Sequence, residues 1–356
     1  MKRILFKSLI VLLLVVLAIS VTALLIREVN QHKHAKKLVL EGPNTIEEQK
    51  YVEIGGIDQW ITIRGEDRTN PILLTVPGGP GSTHTVFNPL LREWEKHFTV
   101  VQWDLRGSGK TFRVNGQEGS GSITFDILAQ DGIELSEYLS RYLGQEKIIL
   151  VGSSVGSVIA LKMAKHSPEL FHAYVGTDQN VGADPQSISY NLTLQALQTA
   201  GDTKSLEKVE SMGPDKSRWS REQFDAMNKI MARSMPGVPD MIMDLKVPYM
   251  FYSPDHSISD IVDIFKGMNF SLDMLFDELI AFNAYDLGLE FELPFFIFHG
   301  DSDIITPIVL AEEYFDQVEA PHKEFAYIRD AGHLAAFARP EQFLDELVQR
   351  VLPIIQ

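Results

Sequence analysis

Residues 147–166 read KIILVGSSVGSVIALKMAKH. After its first residue, KIILV is wholly apolar, short and rich in isoleucine and valine, which fits a strand buried on both faces. Residues 154–166 place apolar side chains at helical spacing. Between strand and helix lies Gly152-Ser153-Ser154-Val155-Gly156, a serine with glycine two residues away on either side. A nucleophile on a sharp strand-to-helix turn has a strained backbone, and the turn closes only if those two flanking residues are very small. The hydroxyl then points into a site at the positive end of the following helix. Ser154 is therefore the candidate nucleophile.

A serine hydroxyl is a weak nucleophile near neutral pH, so it needs a base, and the base needs an orienting acid. With a nucleophile on this kind of turn, the partners follow in the order acid, then histidine, each after a later strand. Residues 295–299 form an apolar strand pattern leading into Gly300-Asp301-Ser302-Asp303, and residues 324–328 lead into Asp330-Ala331-Gly332-His333. Of the ten histidines, His333 alone sits after the nucleophile at a late strand-to-helix turn. His299 lies inside its strand and reads as a packed core residue. Asp301 and Asp303 compete for the acid. Asp303 is preferred because it is further into the loop, where a side chain can reach across, and Pro307 then opens the next helix.

The intermediate of acyl transfer also needs backbone donors for its oxyanion. Pro77-Gly78-Gly79-Pro80-Gly81 follows the strand pattern of residues 72–76, and its glycines let the backbone approach a ligand closely. The expected donors are the amides of Gly79 and Val155. Gly107-Ser108-Gly109-Lys110-Thr111 imitates the end of a phosphate-binding loop. That pattern requires glycine where this chain has Asp104, and residues after Thr111 lack a helical pattern, so no nucleotide site is expected. No metal-ligand spacing is present, and no cofactor is expected.

Further strand patterns fall at residues 51–54, 59–64, 98–103 and 173–175, with a helical pattern at 123–143. Alternation of this kind predicts an α/β fold: a mostly parallel sheet with helices on both faces. Residues 181–293 break the alternation. They are rich in Met, Asp and Ser, with helical segments at 221–233 and 258–282, and predict a helical cap inserted between two halves of a core at 49–180 and 294–356.

The N-terminus is different again. Lys2, Arg3 and Lys7 precede an uncharged run, residues 8–26, built almost entirely of Leu, Ile, Val and Ala. As a helix it spans roughly 28 Å, close to the thickness of a bilayer's hydrocarbon core. Residues 1–27 are thus expected to anchor the chain by a single pass, with 28–48 as a polar tether and the catalytic part outside the cytoplasm. Secretion after cleavage is the alternative, although cleavable signals usually carry an apolar stretch of about 7–15 residues. With 45% apolar residues the remainder can bury a large core. The first 37 residues carry net +6 and the remainder −22, which disfavours nucleic acid as a partner and leaves a small molecule or short peptide. The absence of cysteine removes thiol catalysis and disulfides.

In order and spacing, Gly78-Gly79-Pro80-Gly81, Asp104-Leu105-Arg106-Gly107-Ser108-Gly109 and Gly152-Ser153-Ser154-Val155-Gly156-Ser157 resemble the proline iminopeptidase group of α/β hydrolases. The resemblance covers about residues 50–180 and 290–350. It implies a canopy of helices after the sixth core strand, release of an N-terminal residue, often proline, from peptides or arylamides, and a structural role for Asp104 and Arg106. It also implies canopy carboxylates that hold the substrate amine. Glu207, Glu210, Glu222, Asp273, Asp277 and Glu278 are available, without a motif that selects among them. Pro77 stands where the group usually has His, and Val155 where it usually has Trp, so the bound group is expected to differ.

Overall fold

The computed structural model describes residues 2–235 and 237–355, with side chains from residue 6, so Lys2 and Arg3 contribute no described side chain. Among the described residues eight strands form one sheet: β1 (Ile46–Ile54), β2 (Ile57–Gly65), β3 (Ile72–Val76), β4 (Thr99–Asp104), β5 (Ile148–Ser153), β6 (Phe171–Thr177), β7 (Phe295–Gly300) and β8 (Lys323–Ile328). Their order is β1-β2-β4-β3-β5-β6-β7-β8. β1 and β2 pair antiparallel with each other, as β2 does with β4, and from β4 onward every pairing is parallel.

Because side chains alternate across a strand, the apolar run of β5 feeds both faces. Ile148 and Leu150 pack with α3 (Phe125–Leu143) and α4 (Val155–His166), while Ile149 and Val151 join a cluster that includes Phe343, Leu347 and Val351 near the C-terminus. Burial on both faces makes β5 a central strand, and its end carries Ser154.

Between β6 and β7 lie α5 (Ile188–Ala200), α6 (Thr203–Met212), α7 (Arg221–Ser234), α8 (Val247–Tyr252) and α9 (Ile258–Ala281). Ser220 and Ser257 cap α7 and α9 with reciprocal side-chain and backbone hydrogen bonds. The amide of Ala284 donates to the carbonyl of Val181 at 2.8 Å, tying the two ends of this helical segment together. Ser271 of α9 donates to the carbonyl of Gly107 at 2.9 Å and seats the segment on the body.

Two expectations need correction. The helix α1 (Lys2–Lys37) continues through most of the supposed tether, and β1 begins at Ile46, so the irregular connection is residues 38–45. Mixed charge at 28–37 marked a solvated segment, yet Glu28, Gln31, Ala35 and the three lysines are good helix formers and the segment is held by packing. Gln31 Nε2 donates to the carbonyl of Ser253 at 2.6 Å, and His34 stacks on Tyr249 with ring centroids 5.4 Å apart. Phe6–Lys37 is long and apolar enough to cross a membrane, with mean hydropathy 3.3 over its most apolar window. Secondly, the stretch after Thr111 is helical, as α2 (Gly109–Ser120), interrupted at Gly116. It buries few apolar residues, so it lacks the pattern. What starts it is Asp104, whose carboxylate accepts from the amide of Lys110 at 2.8 Å. The amide at this helix start is thus already taken by a side chain of the protein itself.

Candidate active site

Ser154 occupies the turn between β5 and α4 at φ 54°, ψ −122°, a conformation that costs an ordinary residue energy and persists only when its surroundings impose it. Its amide donates to the carbonyl of Thr177 at 3.1 Å, and its carbonyl accepts from Ser157 Oγ at 2.6 Å. Pro77 precedes a loop that runs directly against this turn. A Cβ added to Gly78 would lie 2.8 Å from both Ser154 Cβ and the carbonyl of Ser153, so the close approach depends on glycine.

The chain brings Ser154, Asp303 and His333 together. His333 Nδ1 donates to Asp303 Oδ2 at 2.8 Å, which leaves Nε2 to accept from Ser154 Oγ at 2.9 Å. Asp303 is fixed in turn. Its Oδ1 accepts from the amides of Ile305 and Thr306 at 2.8 and 3.1 Å, and its Oδ2 from Thr306 Oγ1 at 2.8 Å. Asp301 is elsewhere: it accepts from Ser302 Oγ at 3.2 Å and faces Arg329 at 3.7 Å. His299 is fully buried, accepting at Nδ1 from the amide of Gln179 and donating at Nε2 to the carbonyl of Thr306. Both ring nitrogens are spent on backbone groups, and it packs as a core residue.

Burial opposes a charge on His333, but the Asp303 carboxylate, with Asp178 behind it, outweighs burial and holds the imidazole above its ordinary value. Burial likewise opposes ionisation of Asp303, and His333 overcomes it, keeping this carboxyl below its ordinary value. The Asp303 carboxylate thus stabilises a positive charge on His333, which an imidazole needs if it is to take a proton from a neighbouring hydroxyl. His84, also buried nearby, is pushed down to about 3 by burial and by Lys246 and His333, so it stays neutral.

Sequence reasoning missed Asp178, Thr306 and Met235. Asp178 is fully buried; its carboxylate accepts from Ser153 Oγ at 2.9 Å and from the amide of Ala335 at 3.0 Å. An acid directly after a buried strand, next to the strand that leads into Ser154, was a usable signal. The amide of His333 donates to Met235 Sδ at 3.2 Å, and nothing in the sequence marks that contact. Atoms of Asp178, Asp303 and His333 lie within 4.8 Å of one another, close enough to hold a metal ion. Their polar atoms are instead spent on each other, on Ser153, Ser154 and Thr306, and on backbone amides.

Ser154, Val155 and Gly79 line a cavity of about 600 Å³ beneath the inserted helices. The carboxylates on its wall are Asp184 and Asp215, not the six canopy residues singled out from sequence. Asp273 pairs with Arg221 at 2.8 Å, and Glu278 accepts from the amide of Phe125 at 3.0 Å. Lys216, largely buried, also lines the cavity and donates to the carbonyl of Gly182; burial lowers its affinity for a proton. Arg106 is bound at 2.8 and 3.1 Å by the Asp131 carboxylate and donates to the carbonyls of Ser120 and Gly55.

A strained serine after a central strand, in a largely parallel sheet with a helical insertion over the site, defines a recognisable class. Residues 71–340 match the alpha/beta hydrolase fold family, and the chain belongs to it. It is a hydrolase. Over 305 residues, covering 84% of this chain and 94% of the relative, it is 27% identical to a probable aminopeptidase, YbaC, of Bacillus subtilis. It is 22% identical over 290 residues to a proline iminopeptidase of Lactobacillus delbrueckii subsp. bulgaricus, covering 80% and 91% of the two chains. Among solved structures, a membrane phospholipase A superposes over 100% of this chain and 99% of its own, with TM-score 0.63 and 16% identity. A proline iminopeptidase-related protein of Thermus thermophilus covers 87% and 99%, with TM-score 0.58 and 19% identity. At these identities the two structures speak for the fold alone.

Proposed function

We propose that the protein is a serine hydrolase that cleaves an amide or ester through an acyl-enzyme, acting as an aminopeptidase of the proline iminopeptidase kind on a small molecule or short peptide. The observation that carries this reading is the chain of hydrogen bonds from Ser154 through His333 to Asp303. Ser154 Oγ attacks the carbonyl carbon while its proton passes to His333 Nε2, and Asp303 stabilises the imidazolium that forms. The amides of Gly79 and Val155 hold the oxyanion. His333 returns the proton to the leaving group, and water, deprotonated by the same imidazole, releases the acyl group and restores Ser154. The core is assigned to residues 49–180 and 294–356 and the canopy to 181–293. Residues 1–27 are assigned as a single-pass anchor with the catalytic part outside the cytoplasm. In keeping with the net charge of −22 after residue 37, no nucleic acid is proposed as a partner.

One observation favours the alternative of a carboxylesterase or lactonase. Both carboxylate oxygens of Asp184, on the cavity wall, accept backbone amides of Ile188 and Ser189 at 2.7 and 3.0 Å, which reduces what they offer to a substrate amine. Parallel assays with proline arylamide and short-chain nitrophenyl esters separate the two: turnover of esters alone removes the peptidase reading. Ser154→Ala is expected to lower kcat by about 10⁶ and to abolish labelling by a fluorophosphonate. Retention of either property would remove the serine mechanism.

A further inference from the structure

We infer that the canopy side of the catalytic body rests on the lipid bilayer, with α8 and the first half of α9 among the headgroups. This rests on the reading of residues 8–26 as a membrane-spanning segment, and it adds where the body must then sit.

The argument starts from the continuity of α1. The exposed apolar run ends at Ile26, and the next residue is already docked on the canopy. Arg27 donates to the carbonyl of His256 at 2.5 Å and lies 5.8 Å over the ring of Phe251. One turn on, Gln31 binds the carbonyl of Ser253, and His34 stacks on Tyr249. A helix advances about 1.5 Å per residue, so the loop holding Ser253 and His256 stands within a few ångströms of the end of the hydrocarbon-spanning run. A rigid helix leaves no slack to lift the canopy away. Aromatic residues such as Tyr249 and Tyr252 are enriched at this depth in membrane proteins.

The direction of α1 fixes which side faces the membrane. His256 Nε2 lies 3.2 Å from Thr85 Oγ1, which in turn is 2.7 Å from Thr83 Oγ1, and Thr83 binds Asp104 at the end of β4. At the other end of α1, the carbonyl of Leu38 accepts from Arg64, whose register partner is Val100 near the start of β4. From Arg27 to Leu38, α1 therefore runs down the body from the canopy toward the beginnings of the parallel strands. The apolar run projects past the canopy, not past the strand beginnings.

The surface turned that way suits lipid. Ile258, Val262 and Phe265 are 43%, 47% and 52% exposed and fall at i, i+4 and i+7, one face of α9; Val247 on α8 is 43% exposed. The carboxylates beside this stripe are paired: Asp260 with Arg113 at 2.7 Å, and Asp263 with Arg113 at 3.5 Å and Lys266 at 3.1 Å. An exposed apolar stripe that begins two residues after His256, where Arg27 docks the spanning helix, has a lipid surface as its natural cover.

The absence of cysteine makes the test direct. Single variants Val16→Cys, Glu146→Cys, Val262→Cys and Phe265→Cys of the full chain are labelled with a polarity-sensitive fluorophore. Each is reconstituted in phosphatidylcholine nanodiscs containing phosphatidylcholine nitroxide-labelled at the headgroup or at mid-chain. Glu146 is exposed in the turn that enters β5, at the strand beginnings. The expected result is mid-chain quenching at position 16, and headgroup quenching at 262 and 265 several-fold stronger than at 146. If 16 is quenched but 262 and 265 match 146, the canopy contact is overturned and the anchor stands. If 16 is not quenched either, the anchor reading falls and the contact with it. A blue shift at 265 without lipid quenching assigns the stripe to a protein surface, such as a second copy of the chain, and also overturns the inference.

Discussion

Asp303→Asn tests the relay with the least disturbance to the fold. The amide keeps the shape of the carboxyl, and its oxygen can still accept from the amides of Ile305 and Thr306, as Oδ1 does now. The other position changes in kind. Oδ2 accepts today from His333 Nδ1 and Thr306 Oγ1, whereas an NH₂ there only donates. His333 responds by baring Nδ1 and carrying its proton on Nε2, the nitrogen that must accept from Ser154. Asp178 cannot compensate, because its oxygens are occupied by Ser153 and the amide of Ala335. An imidazole locked in the wrong tautomer lowers kcat by about 10⁴, or about 5.5 kcal/mol of transition-state stabilisation. Steady-state kinetics on whichever ester or arylamide the wild type turns over, beside a thermal melt, gives the answer. A folded variant with kcat within tenfold of wild type refutes the relay. Asp301→Asn, the control, is expected to change kcat by less than about twofold, in line with a surface substitution.

Gly156→Ala places a Cβ 2.1 Å from the carbonyl oxygen of Val76 and 2.6 Å from that of Pro77, both backbone atoms. It should cost about 3 kcal/mol or more and misplace Ser154, visible as a lower Tm together with lost activity. Arg106→Ala leaves the Asp131 carboxylate buried and unpaired, and should cost about 3–5 kcal/mol in urea unfolding. Asp178→Asn removes a negative charge that, after Asp303, favours the imidazolium of His333, while Lys246 opposes it. His333 then sheds its proton at lower pH, so the acid limb of kcat/KM should move toward lower pH; a limb that stays or rises contradicts the assignment.

The sheet was legible because its strands are short apolar runs bounded by Gly, Pro or charge, and the turn at Ser154 because its geometry tolerates so few residues at positions 152 and 156. Asp303 and His333 could be chosen because each follows a strand late enough in the chain. What escaped the sequence depends on contacts between distant segments. Residues 28–37 look solvated alone and become a docked helix only against Ser253, His256 and Tyr249. The helix after Thr111 begins at a carboxylate five or more residues upstream rather than at an apolar stripe. Thr306 and Met235 are ordinary residues until folding brings His333 beside them. The amine site sought among six canopy carboxylates could not be read at all, since which acid faces the cavity depends on how the canopy helices roll.

The bond from Ala284 to Val181 closes the canopy at its neck. Everything beyond that pinch is one excursion of the chain, seated on the body through Ser271 and Met235, while Ser154, Asp303 and His333 follow the strands below. Exchanging or resizing that excursion is thus expected to reshape the cavity wall at Asp184, Asp215 and Trp219, and to spare His333 only if the contact of Met235 is kept. The cavity is a seam between two stretches of one chain, with Gln179, Thr306 and Leu310 on one side and Asp184, Asp215 and Trp219 on the other.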